Sequence, residues 1–169
     1  MPELTDEKGL LLPPRETPSP DMLRAFGDYL FLAERSPRHT GMDVGSFAAS
    51  IVPPVMGDQY KVFRFDGVPR GIFTWALLSP DAERRYVTGE ALRPEDWRSG
   101  DHLWIIDLIA PYHGLTASIV RWITTPGNLT KSDFRFRRIR DGKVTRRIVH
   151  IDFNRPGALS KIETNDDFL

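Results

Sequence analysis

Two residues carry most of the chemistry this chain can offer. His39 closes the short turn Ser36-Pro37-Arg38-His39, and Asp107 stands inside the apolar run Leu103-Trp104-Ile105-Ile106-Asp107-Leu108-Ile109-Ala110. An imidazole can take up a proton near neutral pH. A carboxylate within an apolar strand is costly to bury unless it has a partner or a task. The Ser36 hydroxyl, three residues ahead of the imidazole, is a third polar group in the same turn. The 169 residues include no cysteine, which excludes disulfides, thiolate metal sites and a cysteine-bound intermediate. His102, Asp107 and His113 have ligand-type side chains, but strand direction and the intervening Pro111 keep them from converging, so no metal is expected.

The elements that must position these groups follow from the surrounding pattern. Residues 1–20 hold five prolines and read as an irregular N-terminal extension, with one domain over 21–169. Asp21 begins a helix in which Met22, Phe26, Tyr29/Leu30 and Ala33 recur at helical spacing. Pro37 forbids its continuation, which leaves His39 in the turn beyond, where a histidine adds little to a core. A second helix is expected over 43–51, stopped by Pro53-Pro54. Residues 59–66 and 70–78 read as a hairpin about Asp66-Gly67, and Ser79-Pro80-Asp81 opens a short helix to about Val87.

The strand 102–110 is apolar on both faces and belongs in the centre of a sheet. Simple alternation puts Leu103, Ile105 and Ile109 on one face, with Trp104, Ile106, Leu108 and Ala110 on the other. Leu115, Ile119 and Trp122/Ile123 mark an amphipathic helix, and 133–140 and 143–153 a last hairpin across Asp141-Gly142. The expected fold class is α/β (α+β), one mixed sheet flanked by helices.

Composition restricts the partners. An apolar fraction of 40%, a charged fraction of 27% and zero net charge are ordinary for a soluble globular domain and give no bulk attraction to nucleic acid or membrane. The acidic start and the absence of any long apolar run argue against a signal peptide or a membrane span, and for the cytoplasm. Charge is nonetheless segregated: residues 1–34 carry seven acids against three bases, and residues 131–147 eight bases against two acids.

Taken in order, Ser36-Pro37-Arg38-His39, Gln59-Tyr60, Trp75-Ala76, Asp96-Trp97-Arg98-Ser99-Gly100-Asp101 and Ile106-Asp107-Leu108-Ile109-Ala110-Pro111 resemble the RTX toxin-activating lysine acyltransferases. The resemblance runs from about Phe31 to about Val144. It implies a single-domain GNAT-like acyltransferase fold and a cytoplasmic enzyme that moves a fatty acyl group from acyl carrier protein onto an internal lysine of a protoxin. It also implies that His39 and Asp107 are catalytic, and it brings Ser36 into the motif. Dimerisation rests on the resemblance alone. Thr40-Gly41-Met42 and Tyr112-His113 depart from the family pattern, which bears on acyl-chain length and target more than on the reaction.

Amide formation from a thioester requires a neutral amine, a place for the oxyanion and a route for the amine proton. A lysine with pKa near ~10.4 is almost wholly protonated at pH 7, so a base placed beside it contributes about 10²–10⁴-fold. His39 is that base. Asp107 either fixes the imidazole tautomer or holds the incoming lysine, and Ser36 either orients His39 or donates to the thioester carbonyl. Residues 111–116 hold one glycine and lack a pyrophosphate-cradling loop, which suits the single phosphodiester of phosphopantetheine and no tightly bound cofactor. Arg135, Arg137, Arg138 and Arg140 either dock the acidic carrier protein or form a solvated hairpin face. The rival readings are a GNAT-like enzyme acylating a small amine from acyl-coenzyme A, and a non-catalytic adaptor for a secretion substrate.

Overall fold

The computed structural model describes residues 7–9, 18–140 and 144–168. The helices start where the sequence offers a side-chain acceptor for their free N–H groups. Ser19 Oγ accepts from Met22 N ahead of α1 (Pro20–Ala33), and Asp43 accepts from Ser46 N ahead of α2 (Val44–Met56). Ser79 accepts from Ala82 N ahead of α3 (Pro80–Val87).

Helix α2 runs on through Pro53 and Pro54, where a stop was expected. Each proline removes one donor, yet their carbonyls still accept: Gly57 N bonds Pro53 O at 2.9 Å and Gln59 N bonds Pro54 O at 2.7 Å. The final turn therefore closes on the prolines.

Among the described residues six strands form one sheet in sequence order: β1 (Tyr60–Phe65), β2 (Val68–Leu78), β3 (His102–Ile109), β4 (Asp133–Arg140), β5 (Val144–Asp152) and β6 (Ser160–Glu163). All neighbours are antiparallel except β3 and β4, which run parallel and are joined by the crossover helix α4 (Leu115–Ile123). The expected mixed sheet flanked by helices is observed. Strand β6 and the short 3-10 turn Asn165–Phe168 add to the expected order. The turn residues Asp141-Gly142 lie outside the described residues.

Helices α1, α2 and α3 cover one face of the sheet. Tyr29, Leu32 and Ile51 pack there on Ile72 and Ile109, while Tyr86 and Val87 pack on Ala76 and Trp104. Helix α4 covers the other face, with Ile119 and Ile123 against Phe73, Ile105 and Phe134. Gly71 permits this approach, because a Cβ there would collide with Ile119 Cδ1. Gly100 is equally constrained: its Cβ would meet Leu78 O and the Ser79 backbone at about 2.5 Å. The Asp96–Asp101 segment thus serves as a brace. Asp96 holds Arg85 at 2.7 and 3.1 Å, and buried Gln59 donates to Trp97 O at 2.8 Å.

Strand β3 departs from simple alternation at one point. Its register with β2 passes from Ile105 opposite Trp75 to Asp107 opposite Thr74, so Ile106 is an extra residue in a β-bulge. Beyond it the faces exchange. Leu103, Ile105, Leu108 and Ala110 pack with α4, whereas Trp104, Ile106 and Ile109 pack beneath α1 and α3. This corrects the expected pattern for Leu108, Ile109 and Ala110, and it turns Asp107 toward α1.

Candidate active site

Helix α1 ends in consecutive turns, with Ser36 N bonding Ala33 O, then His39 N and Thr40 N both bonding Ser36 O at 2.9 Å. This folds the His39 ring back toward the sheet. His39 is 8% exposed, so it belongs to the protein interior and not to a solvated turn.

The bulge brings Asp107 up to meet it. His39 Nε2 lies 2.7 Å from Asp107 Oδ2, and His39 Nδ1 lies 2.8 Å from Ser36 Oγ. A carboxylate only accepts, so Nε2 carries the hydrogen and Nδ1 accepts from the Ser36 hydroxyl; this tautomer is assigned from the partners. The result is a serine–histidine–aspartate relay. The structure thus brings together the three residues read from the sequence as the reactive set.

Sequence reasoning missed two more members. The Tyr29 hydroxyl donates to Asp107 Oδ2 at 2.5 Å, and the Arg38 guanidinium bonds Asp107 Oδ1. Leu108 N also donates to Oδ1, at 2.9 Å. Tyr29 was hidden among the apolar positions of α1, although a phenol on a buried helix face needs a partner for its hydroxyl. Four donors now fill the Asp107 carboxylate. It has no open lone pair for an incoming ammonium, which favours the orienting role of the two left open.

The electrostatics keep His39 a free base. Its pKa is pushed down to about 4, first by burial and second by the neighbouring Arg38 charge. Burial likewise drives the Tyr29 phenol well above its ordinary value, so it remains a donor.

This relay opens onto a gap in the sheet. Strands β3 and β4 pair at Trp104–Arg135 and Ile105–Phe136, then part. On the α4 side the gap is a cavity of about 350 Å³, lined by Ile105, Leu108, Val120, Ile123, Phe134 and Phe136 among others. On the opposite side a cavity of about 400 Å³ reaches His39, Ser50, Leu92 and Trp97. Arg38, Tyr86, Ile106, Asp107, Arg137 and Ile139 border both. A third depression, between α1 and α2, also touches His39, with Leu30, Met42, Val44 and Phe47 along it.

The arginines of β4 do not form one face. Arg135 is held by Glu163 at 3.0 Å, and Arg137 donates to Tyr86 O at 2.7 Å while stacking 3.7 Å from the Tyr86 ring centroid. Arg138 projects on the other side and is exposed. The side chain of Arg140 lies outside the described residues. Among the described residues no helix is long and apolar enough to cross a membrane.

The chain matches the RTX toxin acyltransferase family over residues 19–152. It is 37% identical over 87 residues to an RTX-II toxin-activating lysine-acyltransferase of Actinobacillus pleuropneumoniae, covering 51% of this chain and 54% of that protein. It is 36% identical over 91 residues to a protein-lysine myristoyltransferase of Escherichia coli, covering 53% and 54%. An RTX-III toxin-activating lysine-acyltransferase of Actinobacillus pleuropneumoniae is 30% identical over 132 residues, covering 78% and 75%. The match to the first two relatives thus spans about half their length.

Proposed function

The chain belongs to the RTX toxin acyltransferase family, and from that premise we propose that it transfers a fatty acyl group from acyl carrier protein to an internal lysine of an RTX-type protein. The observation that carries this reading is the placement of the Ser36–His39–Asp107 relay at the parting of β3 and β4. An extended phosphopantetheine arm suits such a gap, since its amides can pair with strand edges as an added strand does. The apolar α4-side cavity accommodates the greasy part of the donor, and the start of α4, where Thr116 lines the gap, faces the single phosphodiester.

The steps follow from the residues. The neutral lysine amine attacks the thioester carbon and an oxyanion forms on the carbonyl oxygen. The amine proton passes to His39 Nδ1, through the Ser36 hydroxyl that occupies it, and the imidazolium is stabilised across Nε2–H by Asp107. Collapse breaks the C–S bond and the proton moves on to the leaving thiolate. The products are a lysine amide and free phosphopantetheine thiol. The 2.8 Å contact between Ser36 and His39 also favours a second route to the same product, in which Ser36 is acylated first and lysine attacks the ester. His39, Asp107 and Ser36 are the catalytic residues in this reading, with exposed Arg138 on the side that meets the acidic carrier.

Incubation with acylated carrier protein and a candidate RTX-type protein tests it. A hydroxylamine-resistant mass gain of one long acyl chain on a lysine of the partner is the expected result. Transfer of a short acyl group from coenzyme A to a small amine, with acylated carrier inert, would establish the rival enzyme instead.

A further inference from the structure

Arg38 immediately precedes His39, yet its side chain runs to β3 and not to solvent. Its guanidinium bonds Asp107 Oδ1 and reaches Leu108 O at 3.4 Å, leaving it 41% exposed where the two cavities of the β3–β4 gap meet. Asp107 presents its other oxygen to His39. One carboxylate therefore lies between a fixed cation and a titratable ring.

This arrangement bears on which way the Ser36 contact runs. A lone carboxylate 2.7 Å from an imidazole favours the imidazolium. Protonated Nδ1 would then have to donate to Ser36, and it could no longer receive a proton from it. A cation on the far oxygen removes that bias. The remaining groups near the ring do not supply such a charge. Helix α1 contributes the Tyr29 phenol, and across the outer depression its end brings exposed Glu34 and Arg35, the latter drawn off to Phe31 O at 2.6 Å, the Phe31 ring and Glu34; α2 contributes Ser46 and Ser50; α3 contributes the buried Tyr86. Arg137 on β4 is held against Tyr86.

We propose that Arg38 is a positioning residue that keeps His39 in its proton-accepting form by neutralising Asp107. The inference rests on the reading that His39 takes the amine proton, but it is tested on the ring itself. The four histidines are resolved by proton NMR, and His39 is assigned from a His39→Gln protein. The expected result is an imidazole midpoint raised by about one pH unit or more in both Arg38→Leu and Arg38→Gln, and restored in Arg38→Lys. The acid limb of kcat/KM for acyl transfer should move upward by the same interval. An unchanged or lowered midpoint in either neutral variant, with native near-ultraviolet circular dichroism, would overturn the proposal. So would a rise that Arg38→Lys does not reverse. If the wild-type protein acylates no lysine, the functional reading fails while the titration still decides the role of Arg38.

Discussion

His39 and Asp107 meet at 2.7 Å across 68 residues of chain, one carried by the turn after α1 and the other by a bulge in the central strand. Neither element alone makes the contact. The turn folds the ring inward, and the bulge shifts the phase of β3 by one residue so that the carboxylate faces α1. The His39–Asp107 contact is thus a property of two local irregularities acting on each other.

Replacing His39 by Gln should lower acyl transfer by about 10²–10⁴-fold, the usual contribution of a placed base, while the fold persists. Single-turnover assays with acylated carrier, set beside circular dichroism, would check both halves. A folded variant with wild-type turnover would remove His39 from the mechanism.

Asp107→Ala should also abolish transfer, and it should cost stability in addition. It strands the buried Tyr29 hydroxyl and the His39 Nε2–H and leaves Arg38 uncompensated, so a loss of about 2–4 kcal/mol is expected in chemical denaturation. Asp107→Asn keeps the volume and should recover much of that stability without recovering activity.

Stability should depend on pH through His39. The folded ring titrates at about 4 and the unfolded one near ~6.5, so between these values the unfolded chain binds more protons. Stability therefore rises as pH increases from 4 to 6.5 and is diminished below. Melting temperatures across that window should follow this slope, and His39→Gln should flatten it.

Charge reversal separates docking from architecture on β4. Arg138→Glu should raise the KM for acylated carrier and weaken its salt dependence, with a modest change in kcat. Arg135→Glu should instead destabilise the fold, because it sets a carboxylate beside buried Glu83 and Glu163. Unaltered carrier binding in Arg138→Glu at low ionic strength would place the docking surface elsewhere.

Much of this was legible in the sequence, and the exceptions share a cause. The β1–β2 hairpin, the capped start of α3 and the end of α1 before Pro37 are local events announced by Asp-Gly, Ser-Pro and Pro. The bulge at Ile106 has no such marker, since an isoleucine occupies a regular and a bulged position equally well. Pro53-Pro54 misled because a proline's missing donor shows in the sequence, whereas the two carbonyls that still accept do not. The basic run 131–147 read as one charged surface because its partner Glu163 arrives from a strand 28 residues beyond Arg135. Arg38 was passed over for the same reason: its counter-charge lies on β3.

The two residue pairs joining β3 to β4 divide the sheet mechanically into two leaves of three strands, β1–β3 and β4–β6. Near their free end one leaf carries Asp107 and the His39 turn, and the other Arg137 and Arg138. A donor arm bound between them, as proposed, would act as a spine that sets the distance from one leaf to the other. If the donor binds in this seam as proposed, amide hydrogen exchange along residues 106–109 and 137–139 should slow when acylated carrier protein is added.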